Sequence, residues 1–153
     1  MLAPNADRFA PLSPGRADRW AAFPNWPGQV LFPKLVGLEL EEVRTDYARM
    51  RLPWRPELAQ PAGVLHGGAV ATLIDTVVVP AVGSAYEQTP RMLTLSLNIS
   101  YLAAIVAGED AVAEGWVERR GRSIVFLRAE VLAASSGERA ASGSLVYKVT
   151  PQP

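Results

Sequence analysis

The segment Gly67 to Ala85, GGAVATLIDTVVVPAVGSA, constrains the fold of this chain more than any other. Its length approaches a membrane span. Yet Asp75 stands at its middle, Pro80 interrupts it, and small residues fill much of it. A lone carboxylate at a bilayer centre is costly, so the segment reads as a helix inside a water-soluble domain. Val70, Leu73, Ile74, Val77 and Ala81 recur at helical spacing. The opposite side carries Ala69, Ala71, Thr72, Thr76 and Val79, also small or apolar. A helix apolar on nearly every side predicts burial on nearly every side, so other elements must wrap it.

Strand-like runs supply the wrapping. Leu38 to Val43, a turn at Thr45-Asp46, and Tyr47 to Trp54 read as a hairpin, because Tyr47, Arg49 and Arg51 alternate with Ala48, Met50 and Leu52. Arg55 to Val64 holds Pro56, Pro61 and Gly63 and reads as a loop. After the helix come Met92 to Tyr101, Ala111 to Arg119, Ser123 to Ala133 and Arg139 to Val149. Short turn signals between them predict an antiparallel meander. The result is an α+β fold, a sheet wrapped around one long helix. The 153 residues suit one such domain over 29–153. Residues 1–28 form an arm with five prolines and two tryptophans, Trp20 and Trp26. The prolines break regular structure, leaving one short helix near Ala17 to Ala22, and the tryptophans predict that the arm packs on something.

Composition removes several functions. The chain has no cysteine and one histidine, His66, so thiolate chemistry and metal sites of several histidines are excluded; we expect no metal and no cofactor. Lys plus Arg and Asp plus Glu both number 15, and this zero balance gives no pull toward nucleic acid or a membrane. Met1 to Ala10 lacks an apolar run behind a basic start, so a cytoplasmic location is expected.

Two features invite chemistry. Asp75 lies in an apolar helix with no Lys or Arg between residues 67 and 85. Such a carboxylate must be hydrogen-bonded or paired, and Thr72, one turn back, is a candidate partner. Asp75 either fixes the helix or faces a pocket as general base or nucleophile. The second feature is Gly63-Val64-Leu65-His66-Gly67-Gly68, directly before the helix. Its glycines leave bare N–H groups at the positive end of the helix dipole, where a phosphate or a developing oxyanion would sit. They would equally serve a tight turn alone.

Together these features form the run GVLHGGAVATLID, which resembles the central-helix motif of hotdog-fold acyl-CoA thioesterases of the phenylacetyl-CoA thioesterase (PaaI-like) type. In that family an acidic residue follows the histidine by nine positions and an amide residue precedes it by six; Asp75 and Gln60 stand there relative to His66. Thr94 to Leu102, TLSLNISYL, looks like the first long strand after the family helix. The resemblance covers about residues 35–149 and implies hydrolysis of acyl-CoA, with coenzyme A as part of the substrate. It implies Asp75 as general base or nucleophile and the Gly67 N–H as oxyanion hole. Gln60 would polarise the carbonyl or place the water, His66 would shape the turn, and Gly68 would lie against the coenzyme. Thr94 would hold the water or the acid. It further implies a site at a dimer interface, with Gln60 and Gly67 of one subunit facing Asp75 of the other, and a homodimer that pairs into a tetramer.

Two departures stand out. Ala103-Ala104 follow Tyr101-Leu102 where relatives often have Arg-Pro, which removes a cation from the coenzyme side. Pro80 is expected to kink or end the helix. The basic cluster Glu118-Arg119-Arg120-Gly121-Arg122 is either a solvated turn or a clamp in which Arg120 and Arg122 hold coenzyme A phosphates. The alternative function is a non-catalytic acyl-CoA-binding hotdog module. A hotdog hydratase is disfavoured because its usual acid–histidine pair needs a histidine outside this turn, and no second histidine exists.

Overall fold

Helix α3 (Gly67–Gly83) forms the centre of the computed structural model, which describes residues 5–152. The expectation for Met1 to Ala10 falls partly outside the described residues. Before α3 come helices α1 (Pro14–Ala21) and α2 (Phe32–Val36), strands β1 (Glu39–Arg44) and β2 (Tyr47–Leu52), and the short strands β3 (Ala59–Gln60) and β4 (Val64–Leu65). After it come β5 (Arg91–Tyr101), β6 (Ala111–Arg120), β7 (Ile124–Ala133) and β8 (Arg139–Thr150). Six strands form one antiparallel sheet in the order β1-β2-β6-β7-β8-β5, and it wraps α3 in the hotdog arrangement.

The core follows from two periodicities. Leu73, Ile74, Val77, Val78, Ala81 and Val82 of α3 are fully buried. Burying one such valine, leucine or isoleucine is worth roughly 1.5–3 kcal/mol, which exceeds the ~0.7 kcal/mol at most that a β-branched residue costs a helix. On β7, Val125, Leu127, Ala129 and Val131 are buried while Phe126 and Arg128 are exposed, the alternation of a half-buried strand. Gly143 on β8 lets the helix approach closely: a Cβ there would lie 2.8 Å from Ile74 Cγ2.

Three expectations need correction. The four later strands are not one meander. β6, β7 and β8 are consecutive neighbours, but β5 lies at the far edge beside β8, and β2 takes the place next to β6. The physical reason is the long 102–110 connection, which is fastened to the loop before α3: Leu65 N–H donates to Ile105 O at 2.8 Å, and Val64 bridges Val106. Second, α3 is not buried on every side. Gly68, Thr72, Asp75 and Val79, spaced three or four apart, form with Ala71 one partly open stripe. Third, Pro80 does not end the helix, which runs on to Gly83. The proline removes only the donor to the Thr76 carbonyl. The last turn is held by its own cap and by one outside group: Ser84 N–H donates to Pro80 O at 2.9 Å and its hydroxyl to Ala81 O at 2.7 Å, while Arg120 Nη2 donates to Val82 O at 3.2 Å. Cations at a helix C-terminus complement its dipole.

Residues 5–28 pack on the domain. The short helix is α1, starting at Pro14, where the missing N–H costs no bond. Trp20 is 0% exposed and lies on Gly83, where a Cβ would come within 2.3 Å of the indole. Phe23 and Trp26 pack around it edge-on or tilted, with ring centroids 5.3 Å from each other. Asn5 Nδ2 and Tyr47 Oη each donate to the buried Glu114 carboxylate at 2.8 Å. Among the described residues no helix is long and apolar enough to cross a membrane.

Candidate active site

Asp75 sits on the open stripe of α3 and is half-buried. Among the described residues it has no ion pair. Two hydroxyls hold it instead. Thr94 Oγ1 donates to Asp75 Oδ1 at 3.0 Å. Tyr147 Oη lies 2.8 Å from the same Oδ1 and 2.7 Å from the Asp75 carbonyl oxygen. The sheet delivers both, because Thr94 on β5 and Tyr147 on β8 are cross-strand partners. Oδ2 receives no hydrogen bond among the described residues, and Asp75 borders a cavity of about 360 Å³ that Thr94 and Tyr147 also line. Burial first, and the negative charge of Asp75 second, push the Tyr147 phenol far above its ordinary value of 10.0. It therefore stays protonated and acts as a donor.

Thr72 does not hold Asp75. Its hydroxyl donates back to Gly68 O at 2.9 Å, the common bond of a helical threonine to the carbonyl four residues earlier. Tyr147 is the residue that sequence reasoning missed. The available signal was its place on the inward face of β8 with Leu145 and Val149, where a phenol needs a partner.

The start of α3 is a separate place. His66 is the N-cap, with φ −63° and ψ 136°, and its Nδ1 accepts from Gly68 N–H at 2.8 Å. Four N–H groups at a helix start lack helical partners. Gly68 N–H is thus satisfied by the imidazole, and Ala69 and Val70 donate to His66 O. Gly67 N–H has no acceptor among the described residues. Its carbonyl accepts from Tyr101 Oη at 2.8 Å, and both residues line a second cavity of about 350 Å³. Gly67 and Asp75 are about 12 Å apart along the helix axis at 1.5 Å per residue and open into different cavities.

The remaining expected residues lie apart from both. Gln60 Oε1 accepts from Ala62 N–H at 3.1 Å in its own turn, and Gln60 lines neither cavity. Arg120 is engaged inside the chain: it pairs with Asp46, donates to Tyr86 Oη at 3.0 Å and lies over the Tyr86 ring. That occupies a guanidinium expected at a phosphate; Arg122, at the next turn, is exposed. Among the described residues no cluster of three or more His, Asp or Glu could hold a metal.

Known proteins resemble this chain in sequence and fold. The sequence profile of the thioesterase superfamily matches residues 62–140, just over half of the chain, including His66, Asp75 and Thr94. Human acyl-coenzyme A thioesterase 13 is 30% identical over 81 residues, which cover 53% of this chain and 57% of that protein. The chain spans less than two thirds of the length of the curated relatives that it matches first. The structure of conserved protein PA5202 from Pseudomonas aeruginosa superposes with TM-score 0.73 at 27% identity, covering 79% of this chain and 94% of that one. The Escherichia coli PaaI protein from the phenylacetic acid degradation operon superposes with TM-score 0.71 at 17% identity, covering 76% and 82%. With its hotdog sheet, its histidine-capped central helix and the matched profile, the chain belongs to the thioesterase superfamily.

Proposed function

We propose that this protein hydrolyses acyl-CoA thioesters to a free acid and coenzyme A, with Asp75 as general base or nucleophile. One observation carries the reading: Asp75 borders a cavity with Oδ1 fixed by two hydroxyls and Oδ2 receiving no hydrogen bond among the described residues. The name of the human relative, an acyl-coenzyme A thioesterase, supports the same substrate class.

A thioester is already activated, so the reaction needs a placed water or carboxylate and a donor for the oxyanion. In the general-base form, Asp75 Oδ2 takes a proton as water oxygen bonds to the carbonyl carbon. The carbonyl oxygen becomes an oxyanion facing the free N–H of Gly67 of the partner subunit. Collapse breaks the C–S bond, and the proton passes from Asp75 to the leaving sulfur. Thr94 and Tyr147 hold the carboxylate rotamer through both steps. His66 keeps the helix start open by taking the Gly68 N–H, which leaves Gly67 as the donor. Gln60 of the partner subunit assists at the carbonyl, and Arg122 is left to meet coenzyme phosphates.

Assembly from at least two copies follows from the same reading, because Gly67 and Asp75 of one chain open into different cavities. The 11-residue edge strand β5 exposes Leu93 (64%) and Leu95 (56%), a surface suited to a second copy. Thiol release from acetyl-, hexanoyl-, lauroyl-, benzoyl- and phenylacetyl-CoA tests the function. Asp75→Asn should lower kcat/KM at least about a hundredfold, a loss near 2.7 kcal/mol. No release from any thioester by folded, dimeric wild type would leave an acyl-CoA-binding module.

A further inference from the structure

The Asp75 cavity has two unlike sets of lining residues. One is polar, made by Asp75, Thr94 and Tyr147. The other is apolar, and Trp26, Leu31 and Phe32 build it. These three precede β1 and lie outside residues 62–140, where the superfamily profile matches. Trp26 is the fixed part of this wall: its ring packs on Phe23 at 5.3 Å and on the fully buried Trp20 at 6.0 Å. Phe32 is the open part, 61% exposed at the start of α2. It borders the Asp75 cavity, a smaller one of about 210 Å³ that Asp75 also lines, and one of about 280 Å³ beside His66 and Gly68. The ring thus stands over the open stripe of α3, between the helix start and Asp75. An exposed aromatic ring beside a cavity that a carboxylate borders calls for an apolar ligand to cover it.

We infer that the Trp26–Phe32 segment is the wall that selects the acyl group, and that it takes an uncharged, apolar acyl group. This rests on the thioesterase reading, which puts the carbonyl carbon at Asp75 Oδ2. From there the acyl tail has the aromatic wall ahead of it, and the wall limits its length. A dicarboxylic acyl group is excluded on charge, because its free carboxylate would enter a cavity lined by Asp75 and no cation.

Two readouts on wild type, Phe32→Ala and Phe32→Trp test the wall. One is kcat/KM for hexanoyl-, phenylacetyl- and dodecanoyl-CoA. The other is the calorimetric Kd of the non-hydrolysable thioethers S-hexyl-CoA and S-dodecyl-CoA. Phe32→Ala should raise the dodecanoyl-to-hexanoyl ratio of kcat/KM about tenfold, and Phe32→Trp should lower the phenylacetyl-to-hexanoyl ratio, with parallel changes in Kd. Unchanged ratios in both variants, with hydrolysis intact, would overturn the wall and leave the thioesterase standing. A changed oligomeric state with unchanged ratios would place Phe32 between copies and overturn it equally. If wild type releases no thiol, a shifted thioether Kd ratio upholds the wall while hydrolysis fails; an unshifted ratio, or no thioether binding, overturns both.

Discussion

The first turn of α3 and its middle are built from one apolar sequence yet present opposite chemistry. At the first turn the helix offers an unpaired N–H, Gly67, at the positive end of its dipole. At its middle it offers a carboxylate oxygen, Asp75 Oδ2, with hydroxyl donors filling the other oxygen. An oxyanion donor and a base for the same carbonyl must lie within a few ångströms of one carbon. In a single chain they are two turns apart and open into different cavities. In the proposed reaction each end is half a site. What the difference teaches is that catalysis by this chain, as proposed, is a property of two copies.

The largest effect should come from breaking the first turn without disturbing the fold. Gly67→Pro removes the free N–H at the helix position where proline is best tolerated. His66 already has the extended φ −63° and ψ 136° that a following proline requires. A Cβ at Gly67 would meet the Tyr101 ring at 3.5 Å, an ordinary contact. The variant should fold like wild type by circular dichroism and lose about 100- to 1000-fold in kcat, or ~2.7–4 kcal/mol. Retention of full activity would remove Gly67 from the oxyanion hole.

Breaking the middle indirectly should cost less. Thr94→Val and Tyr147→Phe each delete one hydrogen bond to the Asp75 carboxylate. Each should lower kcat about tenfold, in line with ~1.5 kcal/mol for a hydrogen bond to a charged group, and leave KM nearly unchanged. A rise in KM alone would mean that these hydroxyls touch substrate rather than position the acid.

The smallest effect sharpens the account of the middle through stability. Burial and the Asp75 charge raise Tyr147, and burial and the bond to Glu114 raise Tyr47, both far above the ordinary 10.0. Above pH 10 the unfolded chain releases these protons and the folded chain keeps them. Their contribution to stability is therefore whole below pH 10 and drains as pH rises, by about 1.4 kcal/mol per pH unit for each tyrosine. Urea unfolding of Tyr147→Phe and Tyr47→Phe between pH 10 and 11, where the unfolded tyrosine is only partly ionised, should show a slope shallower by about 1 kcal/mol per pH unit in each. Slopes equal to wild type would place those phenols in water.

Much of this was legible in the sequence, for reasons of range. The period-two runs and the helical period of Gly67 to Ala85 are local, so the six strands of the main sheet and α3 lie within a few residues of their expected places, whereas the stretch Arg55 to Val64, read as a loop, also holds β3 and the start of β4, two-residue strands too short to show a period. Asp75 was legible because a carboxylate without a nearby cation is a local anomaly. Partners distant in sequence were not legible. Tyr147 looks like any inward strand residue until β5 is known to lie beside β8, and that depends on how the 102–110 connection is fastened. Arg120 reads as part of a solvated or phosphate-binding turn, but its partners Asp46 and the Val82 carbonyl come from another hairpin and the helix end. The same guanidinium helps explain how the helix outlasts Pro80. The arm announced packing through Trp20 and Trp26, but not that its aromatic residues border the cavity of Asp75.

The central claim is that one chain supplies the donor and another the carboxylate. Co-expression of Asp75→Asn and Gly67→Pro chains carrying different tags, followed by assay of the mixture, tests it most directly. Each parent alone should be nearly inactive. In a two-fold dimer the mixed pair holds one site with both changes and one site with neither. Random pairing should therefore restore about a quarter of wild-type kcat per chain, with the doubly tagged fraction carrying the activity. Activity no greater than the sum of the two parents, in a mixture shown to contain mixed dimers, would contradict a shared site.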